Sequence, residues 1–150
     1  KEVILYEGDC EVHAEFTGPK IINWKSSMAE NGIDLVVLSN PECDSEVLDE
    51  SDCVGSSEFL MNEAIRLASV GKKDMMLITE CGTADRVLAE TEDNLNLMGA
   101  CVMCRHMKKT QLEDILQALM DPTNDQIVDI PEDTIRRASR SLDEMFRLAE

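Results

Sequence analysis

The chain is short of positive charge. Its 150 residues carry 14 lysines and arginines against 31 aspartates and glutamates, a formal net charge of −17. A surface this acidic repels phosphate backbones and anionic bilayers, which argues against nucleic-acid and membrane partners. A small anionic substrate stays compatible if the few cations converge on one cleft. No apolar run is long enough to span a membrane, and no stretch has the pattern of a secretory leader. The six cysteines, Cys10, Cys43, Cys53, Cys81, Cys101 and Cys104, lack the regular spacing of a small secreted disulfide framework. Only Cys101 and Cys104 are near neighbours, so the two close pairs of a structural zinc site are missing as well. These absences read as a cytoplasmic, reducing setting in which thiols serve metal or redox chemistry. An initiator methionine is missing too. Lys1 runs almost at once into Val3-Ile4-Leu5-Tyr6, and the chain reads as the middle of a longer protein.

What is present is ordinary in bulk and unusual in one place. Apolar residues make up 43% and charged residues 30%, enough for one domain with a buried core. The unusual place is Cys101-Val102-Met103-Cys104-Arg105-His106-Met107-Lys108-Lys109, where two thiols and most of the local positive charge crowd together. The helical period of 112–119 follows, so the thiols are expected in a loop that feeds a helix N-terminus. There the backbone N–H groups and the macrodipole favour thiolate. Such a thiolate can ligate a metal, exchange disulfides or attack as a nucleophile. The plainer alternative is two small residues in a tight loop.

Along the chain, Val3–Tyr6, Leu35–Leu38 and Met75–Ile78 read as buried strands, with Leu95–Met98 a weaker fourth. Helices are expected from Pro19 to Ala29, Glu46 to Glu50, after an N-cap at Ser56, Asp85 to Glu90, up to Met120, and from Pro131 onward. Val54-Gly55-Ser56-Ser57 reads as a tight turn and Ile127-Val128 as a short edge strand. Strands that are apolar throughout and alternate with helices imply a parallel sheet covered on both faces, a three-layer αβα fold. Ligands in such sheets bind beyond the carboxyl ends of the strands. The polar exceptions gather there: Cys10 and His13 after the first strand, Asn40 and Glu42 after the second, Glu80 after the third, Cys101 and Cys104 after the fourth.

Each has a functional and a bland reading. Thiolates from separate loops, such as Cys10 and Cys104, can hold a metal or an iron–sulfur cluster. Cys43, Cys53 and Cys81 read as small buried residues. Glu42, after Pro41, is either a general base or a carboxylate at the start of the next helix. Ser56 and Ser57 open a helix, which makes an anion site or a plain N-cap. His13 reaches toward Cys10 or serves as a structural hydrogen-bonder. His106 caps its loop.

Five segments in order carry a resemblance: Cys10-Glu11-Val12-His13-Ala14-Glu15-Phe16, Asn40-Pro41-Glu42-Cys43, Val54-Gly55-Ser56-Ser57, Glu80-Cys81-Gly82 and Cys104-Arg105-His106-Met107-Lys108. Together they resemble the C-terminal half of quinolinate synthase. That family builds three αβα domains around a pseudo-threefold axis, each giving one cysteine to a [4Fe-4S] cluster. It is a transferase that condenses iminosuccinate with dihydroxyacetone phosphate to quinolinate for NAD biosynthesis. The resemblance implies that Cys10 and Cys104 are metal ligands, that Asn40, Pro41, Glu42 and Ser57 bind substrate, and that Glu42 is catalytic. It also implies a functional link to an aspartate oxidase or dehydrogenase that supplies iminosuccinate. Asn40 stands where the family has histidine, Ser57 where it has threonine, and Arg105 and His106 where Pro and Asn are common.

The organisation then expected is residues 1–10 as the end of a preceding domain or first strand, 11–104 as the αβα domain, and 105–150 as helices packing on a missing N-terminal part. Such a portion alone is expected to be inactive. Two rivals are a catalytically degenerate metal-binding relative and a dithiol redox protein using Cys101 and Cys104. The aromatic residue usual beside a redox motif of that kind is absent.

Overall fold

The structure is a computed structural model that describes residues 8–92, 94–99 and 101–149. The expected strand Val3–Tyr6 lies outside the described residues. Among the described residues, four short strands, β1 (Val36–Ser39), β2 (Cys53–Val54), β3 (Asp74–Ile78) and β4 (Asn96–Met98), form an all-parallel sheet in the order β2-β1-β3-β4. Val36 aligns with Met75 and Ser39 with Ile78, so the two central strands end together.

Side-chain alternation builds the layers. Val37, Met76 and Ile78 point into one core cluster with Ile21 of helix α1 (Gly18–Glu30) and Val47 of helix α2 (Ser45–Leu48). Leu38, Met75 and Leu77 point into a second cluster with Leu60 and Ala64 of α3 (Ser57–Ser69) and Val87 of α4 (Cys81–Glu90). Each central strand is therefore buried on both faces. That is why residues 36–38 and 75–78 are apolar at consecutive positions and not at alternate ones. The result is the expected three-layer αβα arrangement.

Three expectations change. Val54, expected to open a turn, instead ends a two-residue strand, Cys53–Val54, that pairs Leu38 with Cys53 and Ser39 with Val54. Two residues carry no periodicity, so only the neighbouring strand defines them. The chain leaves the strand at Gly55, whose N–H donates to Ser39 O at 3.1 Å. A Cβ there would fall 2.2 Å from the Phe59 ring, so any other residue would force that ring to move. Helix α4 starts at Cys81, ahead of the expected Asp85, because the Glu80 side chain accepts from Gly82 N at 2.7 Å and caps it. Finally, Ile127-Val128 is not a strand. It follows a 3₁₀ turn, Asn124–Gln126, held by the Thr123/Gln126 capping box.

The chain divides into two compact units, 1–108 and 109–150. The second contains α5 (Leu112–Met120) and α6 (Glu132–Ala149). Asp114 accepts from Gln111 N at 2.8 Å and caps α5. In the first turn of α6, Asp133 pairs with Arg136 and Arg137. A 3₁₀ turn, Met107–Lys109, separates Cys104 from α5, so the thiols do not lead straight into a helix N-terminus.

Candidate functional site

The carboxyl ends of β1 and β3 carry the site. Beyond β1 the chain turns sharply, because Asn40 Oδ1 accepts from Glu42 N at 3.0 Å and Asn40 O accepts from Cys43 N at 3.1 Å. Asn40 N donates to Ile78 O at 3.1 Å, which continues the strand pairing into the loop. Asn40 is buried, whereas Pro41 and Glu42 are exposed. The Asn40 amide thus holds the backbone that presents the Glu42 carboxylate. Cys43 next to it is buried against Ile78 O, and burial pushes its thiol pKa up to about 11. It fits the expected role of a small buried residue.

Three donors meet beside that turn. Cys10 Sγ, a ring nitrogen of His13 and a Glu42 carboxylate oxygen lie within 4.8 Å of one another. His13 is held in a 3₁₀ turn, His13–Glu15, with its Nε2 3.3 Å from Thr79 Oγ1 beyond β3. Its Nδ1 lies 3.1 Å from Glu42 Oε2 but off the hydrogen-bonding direction. Among the described residues, it is the buried side-chain nitrogen left without a hydrogen bond. A buried, unpartnered imidazole nitrogen among a thiol and a carboxylate is a donor set suited to a metal ion.

Cys104 is not among these three, yet Cys10 and Cys104 both pack against the first core cluster, which includes Val12, Ile78 and Val102. A charged clamp ties their segments. Glu11, next to Cys10, accepts from Arg105 Nε at 3.0 Å and Nη2 at 2.6 Å, with His106 Nε2 at 2.9 Å. The Arg105 guanidinium holds the Glu11 carboxyl below its ordinary value. His106 is therefore not merely a loop cap.

Ser57 lies apart from this group, in a cleft of about 500 Å³. The first turns of α3 and α4 open onto that cleft, which is also lined by Glu80, Thr83, Arg86 and Lys108. Lys108 Nζ is 3.5 Å from Glu80 Oε1. Two of the few cations do converge here.

A family model described as Quinolinate synthetase A protein matches residues 1–147. The chain belongs to this family. It is 33% identical over 147 residues to the quinolinate synthase of Caulobacter vibrioides (strain NA1000 / CB15N), covering 98% of this chain and 37% of that protein. To the quinolinate synthase of Clostridium novyi (strain NT) it is 32% identical over 148 residues, covering 99% and 46%. To that of Sinorhizobium fredii it is 30% identical over 129 residues, covering 86% and 34%. The chain thus spans between a third and just under a half of the length of these relatives. Among the described residues, no helix is long and apolar enough to cross a membrane.

The residues that sequence reasoning missed are Thr79, which meets His13, and Glu11, which meets Arg105. Neither carried a local signal. Glu11 and Arg105 are 94 residues apart, and only the fold makes them neighbours.

Proposed function

We propose that this chain is the C-terminal portion of a cytoplasmic quinolinate synthase, the transferase that condenses iminosuccinate with dihydroxyacetone phosphate to quinolinate in NAD biosynthesis. Its family membership supports the reading. The observation that carries it to particular residues is the approach of Cys10, His13 and Glu42 to one another at the strand ends, with Cys104 on the same core cluster. Two half-buried thiols and an unpartnered imidazole nitrogen are donors that suit an iron–sulfur centre. Cys10 and Cys104 would give two of the protein ligands of a [4Fe-4S] cluster, and the rest of the enzyme the third. Bound there, a cluster with one open iron position supplies Lewis acidity toward a carbonyl or hydroxyl oxygen.

This chain's own residues do the rest. Glu42 is exposed and its carboxylate lies 3.1 Å from the His13 ring, so it can take and return a proton at the edge of the donor group. Asn40 cannot carry a proton, but its amide holds the Pro41–Glu42 turn and positions substrate there. Ser57 offers a hydroxyl at a helix N-terminus, in a cleft with Arg86 and Lys108, which suits a carboxylate of the diacid. The iminosuccinate would come from an aspartate oxidase or dehydrogenase. Residues 105–150 would cover the N-terminal part of the enzyme, since Leu112, Leu119, Leu142 and Phe146 are exposed in this chain. The fragment alone would be inactive.

The test is anaerobic purification of the full-length protein, with iron and sulfide counted and quinolinate assayed from the two substrates. Iron, matching sulfide and turnover support the reading. The same donor trio favours a second reading, a degenerate relative with one zinc on Cys10, His13 and Glu42. Stoichiometric zinc without sulfide, lost on His13→Ala, would establish that alternative.

A further inference from the structure

Cys81 and Cys101, twenty residues apart, meet beyond the ends of β3 and β4. Glu80 and Val102 form a parallel backbone bridge, and Cys81 N donates to Val102 O at 3.1 Å. In parallel register Cys101 lies opposite Thr79, and Cys81 is its diagonal neighbour on the same face, the one opposite Val102. Both cysteines line one small cavity of about 160 Å³, walled by Leu77, Ala84, Leu88 and Leu97. These four belong to the second core cluster or pack against it. Val102 and Cys104 belong with the first cluster, on the opposite face of the sheet. Alternation along an extended segment explains the split, since Cys101 and Val102 face opposite ways and Cys104 follows Val102. The close spacing of Cys101 and Cys104 therefore misleads: the thiol that the fold sets against Cys101 is Cys81.

We propose that Cys81 and Cys101 form a dithiol–disulfide site, separate from the Cys10 group, that reacts with low-molecular-weight disulfides. Cys101 is exposed and Cys81 half-buried, which assigns the order of attack. The Cys101 thiolate attacks one sulfur of the small disulfide. A mixed disulfide forms and one small thiol leaves. Cys81 then gives up its proton to solvent and attacks the Cys101 sulfur, releasing the second small thiol. Two protein thiols lose two electrons, and one small disulfide is reduced to two thiols. The first step prepares the second. Cys81 is held protonated, with its pKa pushed up to about 11, first by the hydrogen bond with Cys101 and then by burial. Converting Cys101 to a mixed disulfide removes that partner and frees Cys81 to attack. The finished bond would tie the first residue of α4 to the segment that leads into Cys104.

The experiment uses the full-length protein, reduced and then exposed to oxidised glutathione at pH 8, as isolated and again after iron chelation so that Cys104 is free to compete. Free thiols are alkylated, and the digest is mapped by mass spectrometry. The expected wild-type product in both states is a peptide pair joined through Cys81 and Cys101. Cys81→Ser should accumulate the glutathione adduct on Cys101 at least about tenfold over wild type, because nothing resolves it. Cys101→Ser should leave Cys81 reduced. A Cys101–Cys104 bond as the main product, a stable adduct on wild-type Cys101, or an unmodified Cys101 would each overturn the proposal. The wild-type map decides the matter even if a serine variant fails to fold.

Discussion

Arg105 closes on Glu11 with two hydrogen bonds, of 3.0 and 2.6 Å, and so joins the residue after Cys104 to the residue after Cys10. A fork-shaped donor and an imidazole, Arg105 and His106, converge on the one Glu11 carboxylate. A bidentate arginine–carboxylate pair fixes orientation as well as distance. Here the groups oriented are the two loops that present the proposed metal ligands.

If the clamp sets the spacing of those ligands, Glu11→Gln and Arg105→Gln should each lose bound iron several-fold faster than wild type under a chelator challenge. The charge-swapped double variant, Glu11→Arg with Arg105→Glu, should recover most of the retention. Equal retention in all four proteins, followed by iron release over time, would remove the clamp from the account.

The neighbouring thiols should behave differently. Cys10→Ser and Cys104→Ser are expected to abolish iron and sulfide binding in the full-length protein, while Cys101→Ser keeps both. The reason is that Cys10 and Cys104 share one core cluster, whereas Cys101 faces Cys81. Iron and sulfide analysis of the three variants checks this.

Glu42 and Asn40 should separate in turnover. Glu42→Gln is expected to lower the rate at least about a hundredfold, the usual scale for a general base, and to leave the iron content unchanged. Asn40→His should be tolerated or raise the rate, since it restores the family's imidazole. Anaerobic quinolinate assays on the two variants beside wild type report it. A rate indifferent to Glu42→Gln would put the base elsewhere.

Cys43 should make stability fall in alkali. Its folded pKa is raised from 9.0 to about 11 by burial, so the neutral thiol is favoured in the fold. Its contribution is whole below pH 9 and is lost as pH rises toward 11, on the order of 2 kcal/mol across that window. Urea unfolding from pH 8 to 11 should show a steeper decline in wild type than in Cys43→Ala. Parallel slopes would show that burial does not hold the thiol's proton.

The layered fold was legible because burial on both faces leaves a mark at every residue of a strand. Met75 to Ile78 and Val36 to Leu38 are apolar without a break, and Ser56 announced α3 by capping it through Phe59 N at 3.3 Å. The two-residue strand β2 and the early start of α4 left no such mark. One is too short to have a period, and the other begins on Cys81-Gly82, which carries no helical preference of its own. The candidate site was legible as a set of polar residues after the strands, of which the fold brings Cys10, His13 and Glu42 together.

By itself, then, the order of residues determined the central strands and most of the helices, that the sheet is parallel and covered twice, and that polar residues such as Asn40 and Glu42 gather at its carboxyl end. Periodicity and capping are local, so they are written along the chain. Tertiary structure alone decided which of those groups touch. It put His13 between Glu42 and Thr79, closed Arg105 on Glu11, and turned Cys101 toward Cys81 and away from Cys104. Those contacts join residues up to 94 positions apart. Packing two core clusters on opposite faces of one sheet selects them, and no single stretch of chain contains that information.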